Sequence, residues 1–345
     1  MGPGSWFTPL VGPVKLLIVF AAFGFAYGVV LQRSGFCFAK AGFELFLLRS
    51  RDAFNGVMAG LVVATLGFAV VSALRVQAGL DAKTHLLVIP FGAGTVVGAT
   101  LFGMGMSLAG MCAAGTLQRI GEGYLVAWFT LLGIVAGAAL DPFAAFLPES
   151  WRTQSQGVWL GDRFGALPAA GVAVLALLCV WLAVMKTQGA AIRWPARSWR
   201  SLISPAIAGG IALGLIDTAQ VAFATPWTVA YPLALVRPAL AGALSQSAWQ
   251  AALPLLTLDA GLVLGSLASS AHATRARVRL PRRGRDVARA LIGGVLMGWG
   301  IQLARGCGIG GAFSAIPSLS ASAWLFLPSL FFGAWIGSRI IRRFD

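Results

Sequence analysis

Charged side chains are scarce in this sequence. Only 11% of its 345 residues are charged, whereas 58% are hydrophobic. A soluble domain carries about 25% charged residues, so a soluble fold of this length could not cover its surface. Histidine and cysteine are scarce too, with two and four residues, and the motifs CxxC, HExxH and GxxxxGKS/T are absent. The sequence therefore predicts no metal site, no nucleotide site and no cofactor.

Acidic residues are the rarest charged type. There are 11 Asp and Glu against 26 Lys and Arg, which gives a formal net charge of +15. In a soluble protein such an excess would suggest nucleic acid as a partner. Here the basic residues flank long apolar runs, where they report the orientation of membrane spans instead. No nucleic-acid partner is expected.

Long apolar runs dominate the chain. About 20 consecutive apolar residues are enough to cross a bilayer, and the sequence predicts nine such spans. They lie at 13–32, 53–74, 87–108, 123–142, 168–186, 202–223, 255–273, 287–304 and 321–341. The predicted fold class is an all-α polytopic membrane protein, with residues 1–345 forming one transmembrane domain.

Four shorter apolar stretches each follow a full span and are interrupted by Gly, Pro or Ser. They lie at 35–48, 110–120, 225–250 and 306–318. Irregular backbone at membrane depth survives only inside protein or beside a water-filled cavity, so these stretches are predicted to be short re-entrant helices. Ordinary loops outside the membrane are the alternative.

Basic residues predict how the spans are oriented. With nine alternating spans, most of them fall on one face. They lie in the connections 187–201 and 274–286, at the C-terminal end, and after spans one and three. The positive-inside rule makes that face cytoplasmic, so the N-terminus is periplasmic and the C-terminus cytoplasmic. Anionic membrane lipids are an expected contact of the Arg-rich 274–286 connection.

Two segments repeat at an offset of 195 residues. GATLFGMGMSLAGMCAAG at 98–115 aligns without gaps with GGVLMGWGIQLARGCGIG at 293–310, and the shared pattern includes Cys112 and Cys307. Because spans three and eight run in opposite directions in the predicted topology, the repeats are inverted. Residues 13–142 form repeat one, 168–186 a linking span and 202–341 repeat two, an arrangement typical of transporters.

Three of the four cysteines lie in the predicted re-entrant stretches beside glycines. Half-helices that direct their N-termini inward favour an anion, and Arg305 would add a full positive charge inside the membrane. Thiols are soft and polarisable, so they suit a sulfur-bearing anion better than phosphate. The predicted substrate-binding residues are Cys37, Cys112, Cys307, Arg305, Gly110, Gly115, Gly306, Gly310, Thr225 and Trp227.

Each candidate has a structural alternative. A membrane cysteine is usually a small buried hydrophobe, which we expect for Cys179, and Arg305 could instead reach the outer headgroups. In the third re-entrant stretch, Thr225, Trp227 and Thr228 stand where a thiol is missing. Asp217 and Asp259 could each be a proton-coupling carboxylate. The alternative for Asp217 is a structural role, and Asp259, two residues after Thr257, is predicted to be a helix-start residue.

The chain resembles the YeeE/YedE family of bacterial inner-membrane proteins, whose studied members take up thiosulfate. The resemblance spans nearly the whole chain and rests on LQRSGFCFAKA, GMGMSLAGMCAAGTLQRIGEG, PWTV and ARGCGIGGAFSAIPSLS. It implies an hourglass-like protein of nine spans and four short helices in an inverted repeat. It also implies that Cys112 and Cys307, with Cys37 beside them, relay thiosulfate through S–H···S contacts at a central constriction.

The resemblance also implies a place in the bacterial inner membrane and, for some relatives, a separate cytoplasmic sulfur-carrier protein as a partner. The predicted function is uptake of thiosulfate or a related sulfur anion, without enzymatic activity. One alternative is a membrane enzyme that passes persulfide or disulfide equivalents between thiols. It predicts a redox-active cysteine pair, and Cys112 and Cys307 close enough to bond would favour it, whereas the lack of a nearby acid/base His argues against it. The other is a generic anion or selenium-compound channel.

Overall fold

The computed structural model describes residues 13–344, with gaps at 49, 82, 84, 141–156, 188–203, 274–277 and 282. It is 80% helical, and no strand occurs within the described residues. The predicted all-α polytopic class is confirmed. The N-terminal 1–12 segment, residues 188–201 of the first Arg-rich connection, and residues 274–277 and 282 of the second lie outside the described residues.

The helices follow the predicted order of long and short elements. The long helices are α1 (Pro13–Ser34), α3 (Asp52–Gln77), α4 (Ala93–Ala109), α6 (Leu125–Ala139), α8 (Ala166–Thr187), α9 (Pro205–Phe223), α12 (Gln246–His272), α13 (Gly284–Ala304) and α14 (Ala321–Phe344). The short elements are α2 (Phe38–Phe43), the π-helix π1 (Glu44–Leu48), α5 (Ala113–Gly121), α7 (Gly161–Phe164), α10 (Ala230–Ala234), α11 (Val236–Leu240) and the π-helix π2 (Gly308–Phe313).

Within the part of the chain that the structure describes, eight helical segments are long and apolar enough to cross a membrane. The fourth predicted span, 123–142, corresponds to α6, which has 15 residues and is shorter than the other long helices. The third predicted span, 87–108, also begins later than expected, because residues 86–92 form no helix before α4.

The four predicted short stretches each contain short helical elements. The third is shorter than the predicted 225–250, since α10 and α11 end at Leu240 and α12 begins at Gln246, capped by the Ser245 hydroxyl. The seventh predicted span, 255–273, thus begins too late, because α12 starts at Gln246 and continues through Pro254. Asp259 therefore lies in the middle of a helix, and its prediction as a helix-start residue is wrong.

Glycines bring α4 and α13 into backbone contact. A Cβ placed on Gly98 would lie 2.8 Å from the Gly300 carbonyl oxygen, and one on Gly293 would lie 2.6 Å from the Gly105 carbonyl oxygen. The residue numbers rise on one helix as they fall on the other, so the two helices are antiparallel. Small residues at such contacts are the usual way in which membrane helices approach closely.

Glycine contacts also fix the direction of the outer helices. Gly333 of α14 meets Met104 of α4, and Gly337 meets Ser107, so these two helices run the same way. The pairs α6 with α13, α1 with α12, and α3 with α9 are parallel by the same criterion. All these directions agree with a chain whose nine spans alternate.

Alanine at Gly293 tests the α4–α13 contact. Its Cβ would meet the Gly105 carbonyl oxygen at 2.6 Å and the Ala109 backbone nitrogen at 2.7 Å, and neither atom can move without the helix. We expect Gly293→Ala to cost about 1–3 kcal/mol and to lower the thermal midpoint of the detergent-solubilised protein. Gly171→Ala is the matched control, because nothing lies within 4 Å of a Cβ at that helical position. Equal midpoints for the two variants would contradict the close contact.

Candidate functional site

Three cysteines each stand directly before a short helix. Cys37 precedes α2, Cys112 precedes α5 and Cys307 precedes π2, all with extended backbone. The Cys112 sulfur accepts a hydrogen bond from the Gly115 backbone N–H at 3.4 Å, and the Cys307 sulfur accepts one from Gly310 at 3.4 Å. This position normally carries Ser, Thr, Asp or Asn, and sulfur is a weak acceptor, so capping strength alone does not explain the cysteines.

Cys37 and Cys112 form a thiol–thiol contact. Their Sγ atoms lie 3.5 Å apart, and either thiol can be the donor. A Cβ at Gly115 would lie 3.1 Å from the Cys37 sulfur and 3.5 Å from the Cys112 sulfur, so glycine leaves the space beside both thiols open. Gly115 was predicted as a site residue, and the structure places it next to the pair.

The Cys307 thiol has a threonine as its neighbour. The backbone N–H groups of Val229 and Ala230 face the Cys307 sulfur, and a Cβ at Gly310 would overlap the Thr228 hydroxyl. Thr228 therefore stands beside Gly310 and Cys307 as Cys37 stands beside Gly115 and Cys112. The structure thus brings Thr228 to the site.

Thr225 and Trp227 come from the same stretch and were predicted to bind substrate. In the structure their contacts are with other parts of the protein. The Thr225 carbonyl accepts a hydrogen bond from the Gln220 side chain at 2.7 Å. The Trp227 ring is fully buried and stacks on Tyr27, with ring centroids 4.3 Å apart. Both residues fix the segment that leads into Thr228.

An aromatic cluster joins the two halves at the site. The rings of Phe36, Phe38 and Phe313 meet edge to face, with centroids 5.7 to 6.5 Å apart. A Cβ at Gly308 would lie 3.3 Å from the Phe38 ring. Phe38 follows Cys37 and Gly308 follows Cys307, so this contact brings the cysteines of both halves into one region, walled by apolar side chains.

Arg305 and Gly110 occupy equivalent places 195 residues apart. Each ends a helix in the left-handed conformation, with φ of 51° at Arg305 and 69° at Gly110. The Arg305 side chain is exposed, whereas the Cys307 sulfur two residues later is buried, so the structure does not pack this base against the thiol as predicted. Gly306 packs tightly, because a Cβ there would lie 2.9 Å from the Gly311 Cα.

A family comparison accounts for this arrangement. The model of the sulphur transport family matches residues 33–336, a range that includes all three site cysteines and all four short stretches. The chain belongs to the sulphur transport family. Together with the eight apolar helices, this membership makes it a multi-pass membrane protein.

Relatives are similar over nearly the whole chain. The thiosulfate transporter TsuA of Spirochaeta thermophila is 27% identical, over 93% of this chain and 97% of that protein. The thiosulfate transporter TsuA of Escherichia coli is 26% identical, over 92% of each chain. The probable transporter YedE of Salmonella typhimurium is 31% identical over 52% of this chain and 41% of its own length.

One polar cluster of this family member was only partly anticipated from its sequence. Asp217 is fully buried in α9 and accepts hydrogen bonds from Tyr27, Ser314 and the Trp227 backbone. The signal for it was an Asp within an apolar span, but the sequence could not identify the partners, which lie up to 190 residues away. No group of His, Cys, Asp or Glu that could hold a metal ion occurs among the described residues.

Burial predicts the order in which the site thiols react. Cys37 is half-buried, whereas Cys112 is 3% exposed and Cys307 is 1% exposed. A small water-soluble methanethiosulfonate reagent should therefore modify Cys37 at least about tenfold faster than the other two, because reaction requires access to the sulfur. Peptide mass spectrometry of the briefly treated wild-type protein measures this order. Modification of Cys307 as fast as Cys37 would contradict the described burial.

Proposed function

We propose that this protein takes up thiosulfate, or a closely related sulfur anion, and that Cys37, Cys112 and Cys307 pass it through the membrane. The observation that carries the proposal is the gathering of these thiols at the starts of three short helices, with two sulfurs 3.5 Å apart. Two relatives that match over more than nine-tenths of this chain are named thiosulfate transporters. In this proposal the protein acts as a transporter and catalyses no reaction.

The chemistry of a thiol suits the outer sulfur of thiosulfate. A thiol donates one weak S–H bond and accepts weakly at sulfur, so it can replace part of the hydration of a soft anion without holding it tightly. The Cys37–Cys112 contact already has the spacing that an S–H···S contact requires. Several weak sites in series let an ion enter and also leave, which is the requirement for conduction.

The structure suggests a direction for this path. Cys37 is the most accessible of the three thiols, and its stretch follows a span that is predicted to end on the cytoplasmic face. In the proposed order of uptake, the anion therefore reaches Cys112 before it leaves past Cys37. Cys307 and Thr228 lie in the other half. In that half a hydroxyl stands in place of the fourth thiol. A hydroxyl is a stronger hydrogen-bond donor than a thiol, so it would suit the oxygens of the anion.

The inverted repeat, with residues 13–142 and 202–341 as its halves, is part of the proposal. It is supported by glycine contacts that exchange under the repeat offset, because Gly98 meets Gly300 while Gly105 meets Gly293. The equal caps of Cys112 and Cys307 support it as well. The basic connections support a cytoplasmic C-terminus, and the resemblance supports the bacterial inner membrane and a cytoplasmic sulfur-carrier partner.

A second candidate function is transfer of persulfide or disulfide equivalents. The observation that favours it is again the 3.5 Å thiol contact, although it joins Cys112 to Cys37 and not to Cys307. Mild oxidation followed by alkylation should then show a mobility shift that Cys37→Ala removes. Substrate competition with selenite, sulfite and sulfate separates both proposals from a generic anion or selenium-compound channel.

Growth on thiosulfate tests the thiol path directly. In a bacterium that lacks sulfate uptake, with thiosulfate as the sole sulfur source, the wild-type gene should restore growth. The double variant Cys112→Ala, Cys307→Ala should not, because an apolar methyl group offers the anion no hydrogen bond. Initial uptake of labelled thiosulfate should fall at least about tenfold, or ~1.4 kcal/mol in the barrier.

The matched control for this experiment is Cys179→Ala. Cys179 lies on an exposed face of α8, away from the short helices, so its loss should leave growth and uptake unchanged. Membrane extracts must contain equal amounts of each variant. Normal growth of the double variant would contradict the thiol path. It would still be compatible with thiosulfate transport by another route.

A further inference from the structure

A transporter for a dianion has to compensate two negative charges. The interior of a cell is negative, so thiosulfate enters against the membrane potential and cannot accumulate unless cations enter with it. The thiols described above are uncharged donors and supply no such cation. The inference below rests on the proposed function and concerns where the compensating protons bind.

Asp217 lies in the second half and has three hydrogen-bond donors around it. Ser314 and Trp227 belong to the same half, and Tyr27 belongs to the first half. The Asp217 Oδ1 atom faces the Tyr27 hydroxyl at 3.3 Å and the Trp227 backbone N–H at 3.2 Å, while its Oδ2 atom lies 3.0 Å from the Ser314 hydroxyl. The side chain is 0% exposed. A carboxyl this deeply buried is costly as an ion unless something compensates its charge.

A count of the donors and acceptors around Ser314 leaves a place for a proton on Asp217. The Ser314 hydroxyl lies 3.0 Å from Asp217 Oδ2 and 2.9 Å from the Trp227 carbonyl oxygen, yet it has one hydrogen for two acceptors. If Asp217 is neutral, its own hydrogen goes to the Ser314 oxygen and the Ser314 hydrogen goes to the Trp227 carbonyl. If Asp217 is ionised, the serine must serve the carboxylate and the carbonyl loses its donor.

A second carboxyl lies on the other side of Trp227. Asp259 of α12 is 9% exposed, and the indole N–H of Trp227 faces it. Asp259 Oδ1 and the Trp227 indole nitrogen are buried without a hydrogen-bond partner among the described residues. One tryptophan thus contacts Asp217 through its backbone and faces Asp259 through its ring.

Basic side chains are not placed near either carboxyl. Tyr27 is the titratable group that faces Asp217 from α1, and α3 meets α9 at this level through Gly67, whose Cβ would overlap the Thr218 side chain. From π2 the neighbour is Ser314. Within the described residues, no Lys or Arg is found to interact with Asp217 or Asp259. A bound proton can therefore neutralise each carboxylate.

Both carboxyls connect mechanically to the Cys307 thiol. Cys307 directly precedes π2, Ser314 directly follows it, and Trp227 immediately precedes Thr228. A change in the hydrogen bonds of Asp217 therefore acts on both elements that surround the Cys307 sulfur. Among the described residues, no carboxyl is found to interact with Cys37 or Cys112, so we assign the coupling to the second half.

We propose that Asp217 and Asp259 form a proton-binding pair that carries two protons with each thiosulfate dianion, with Trp227 linking their charge state to the Cys307 site. Each carboxyl takes up one proton from the side of entry and releases it as H⁺ on the side of exit. Two protons and one dianion carry no net charge, so the cycle is not opposed by the membrane potential.

Purified protein in proteoliposomes tests this pair. With the membrane potential clamped at zero, wild-type protein should accumulate labelled thiosulfate up to about 100-fold for an inward proton gradient of about one pH unit, because each proton contributes about a factor of ten. Asp217→Asn and Asp259→Asn should each lower this limit about tenfold, and the double variant should show no response to the gradient. All variants should keep exchange of labelled for unlabelled thiosulfate.

The asparagine variants are chosen to preserve the fold. At position 217 an amide group donates to the Ser314 oxygen as the protonated acid does, and its oxygen accepts from Tyr27 and the Trp227 backbone. Asp81→Asn is the matched control, since Asp81 is exposed outside the spans. If a variant fails to fold, the wild-type protein alone still tests the proposal. A pH dye trapped in the proteoliposomes should then report acidification of the lumen as thiosulfate enters.

The outcomes separate the two proposals. Exchange by the wild type without any response to the proton gradient, or full gradient-driven accumulation by the double variant, would overturn the proton pair and leave thiosulfate transport standing. Entry of thiosulfate without acidification of the lumen would overturn it as well. No exchange by the wild type would overturn both the proposed function and the pair that rests on it.

Discussion

The close antiparallel contact of α4 and α13 is the interaction on which the site depends. Both helices use pairs of glycines to bring their backbones together, and both end a few residues before a cysteine that begins a short helix. Without side chains between them, the two backbones have one well-defined separation. The positions of Cys112 and Cys307 follow from that separation, because only two residues join each long helix to its cysteine.

The short helices turn this framework into a site with a particular chemistry. A short helix inside a membrane leaves backbone N–H groups at its start without partners in the helix, and these groups must be satisfied by side chains or by a ligand. Cys112 and Cys307 satisfy one such group each, but weakly. A strong cap such as Asp would hold the N–H groups more firmly and would repel an anion, so sulfur leaves them available.

The two halves of the proposed inverted repeat differ at matching positions. Cys37 beside Cys112 corresponds to Thr228 beside Cys307, and the left-handed position of Gly110 corresponds to Arg305. A non-glycine residue in that conformation costs about 1–2 kcal/mol, a strain that is often found at functional positions. The buried Asp217 cluster adds a third difference. One half thus holds a pair of thiols, and the other holds a single thiol together with the buried carboxyl of Asp217.

The order of the helices, the duplicated Gly/Cys pattern and the positions of the three cysteines at the short elements could all be read from the amino-acid sequence. These features are local, since they depend on runs of apolar residues and on glycines that interrupt them. The end of α11 at Leu240 and the passage of α12 through Pro254 were not predictable, because packing outweighs the loss of one backbone hydrogen bond.

Tertiary structure alone decided that Cys37 pairs with Cys112, that Thr228 and not Trp227 lies beside Gly310, and that Asp217 meets Tyr27 and Ser314. Those partners lie 75 to 190 residues apart or depend on a single turn of backbone, and sequence periodicity carries no information about such distances.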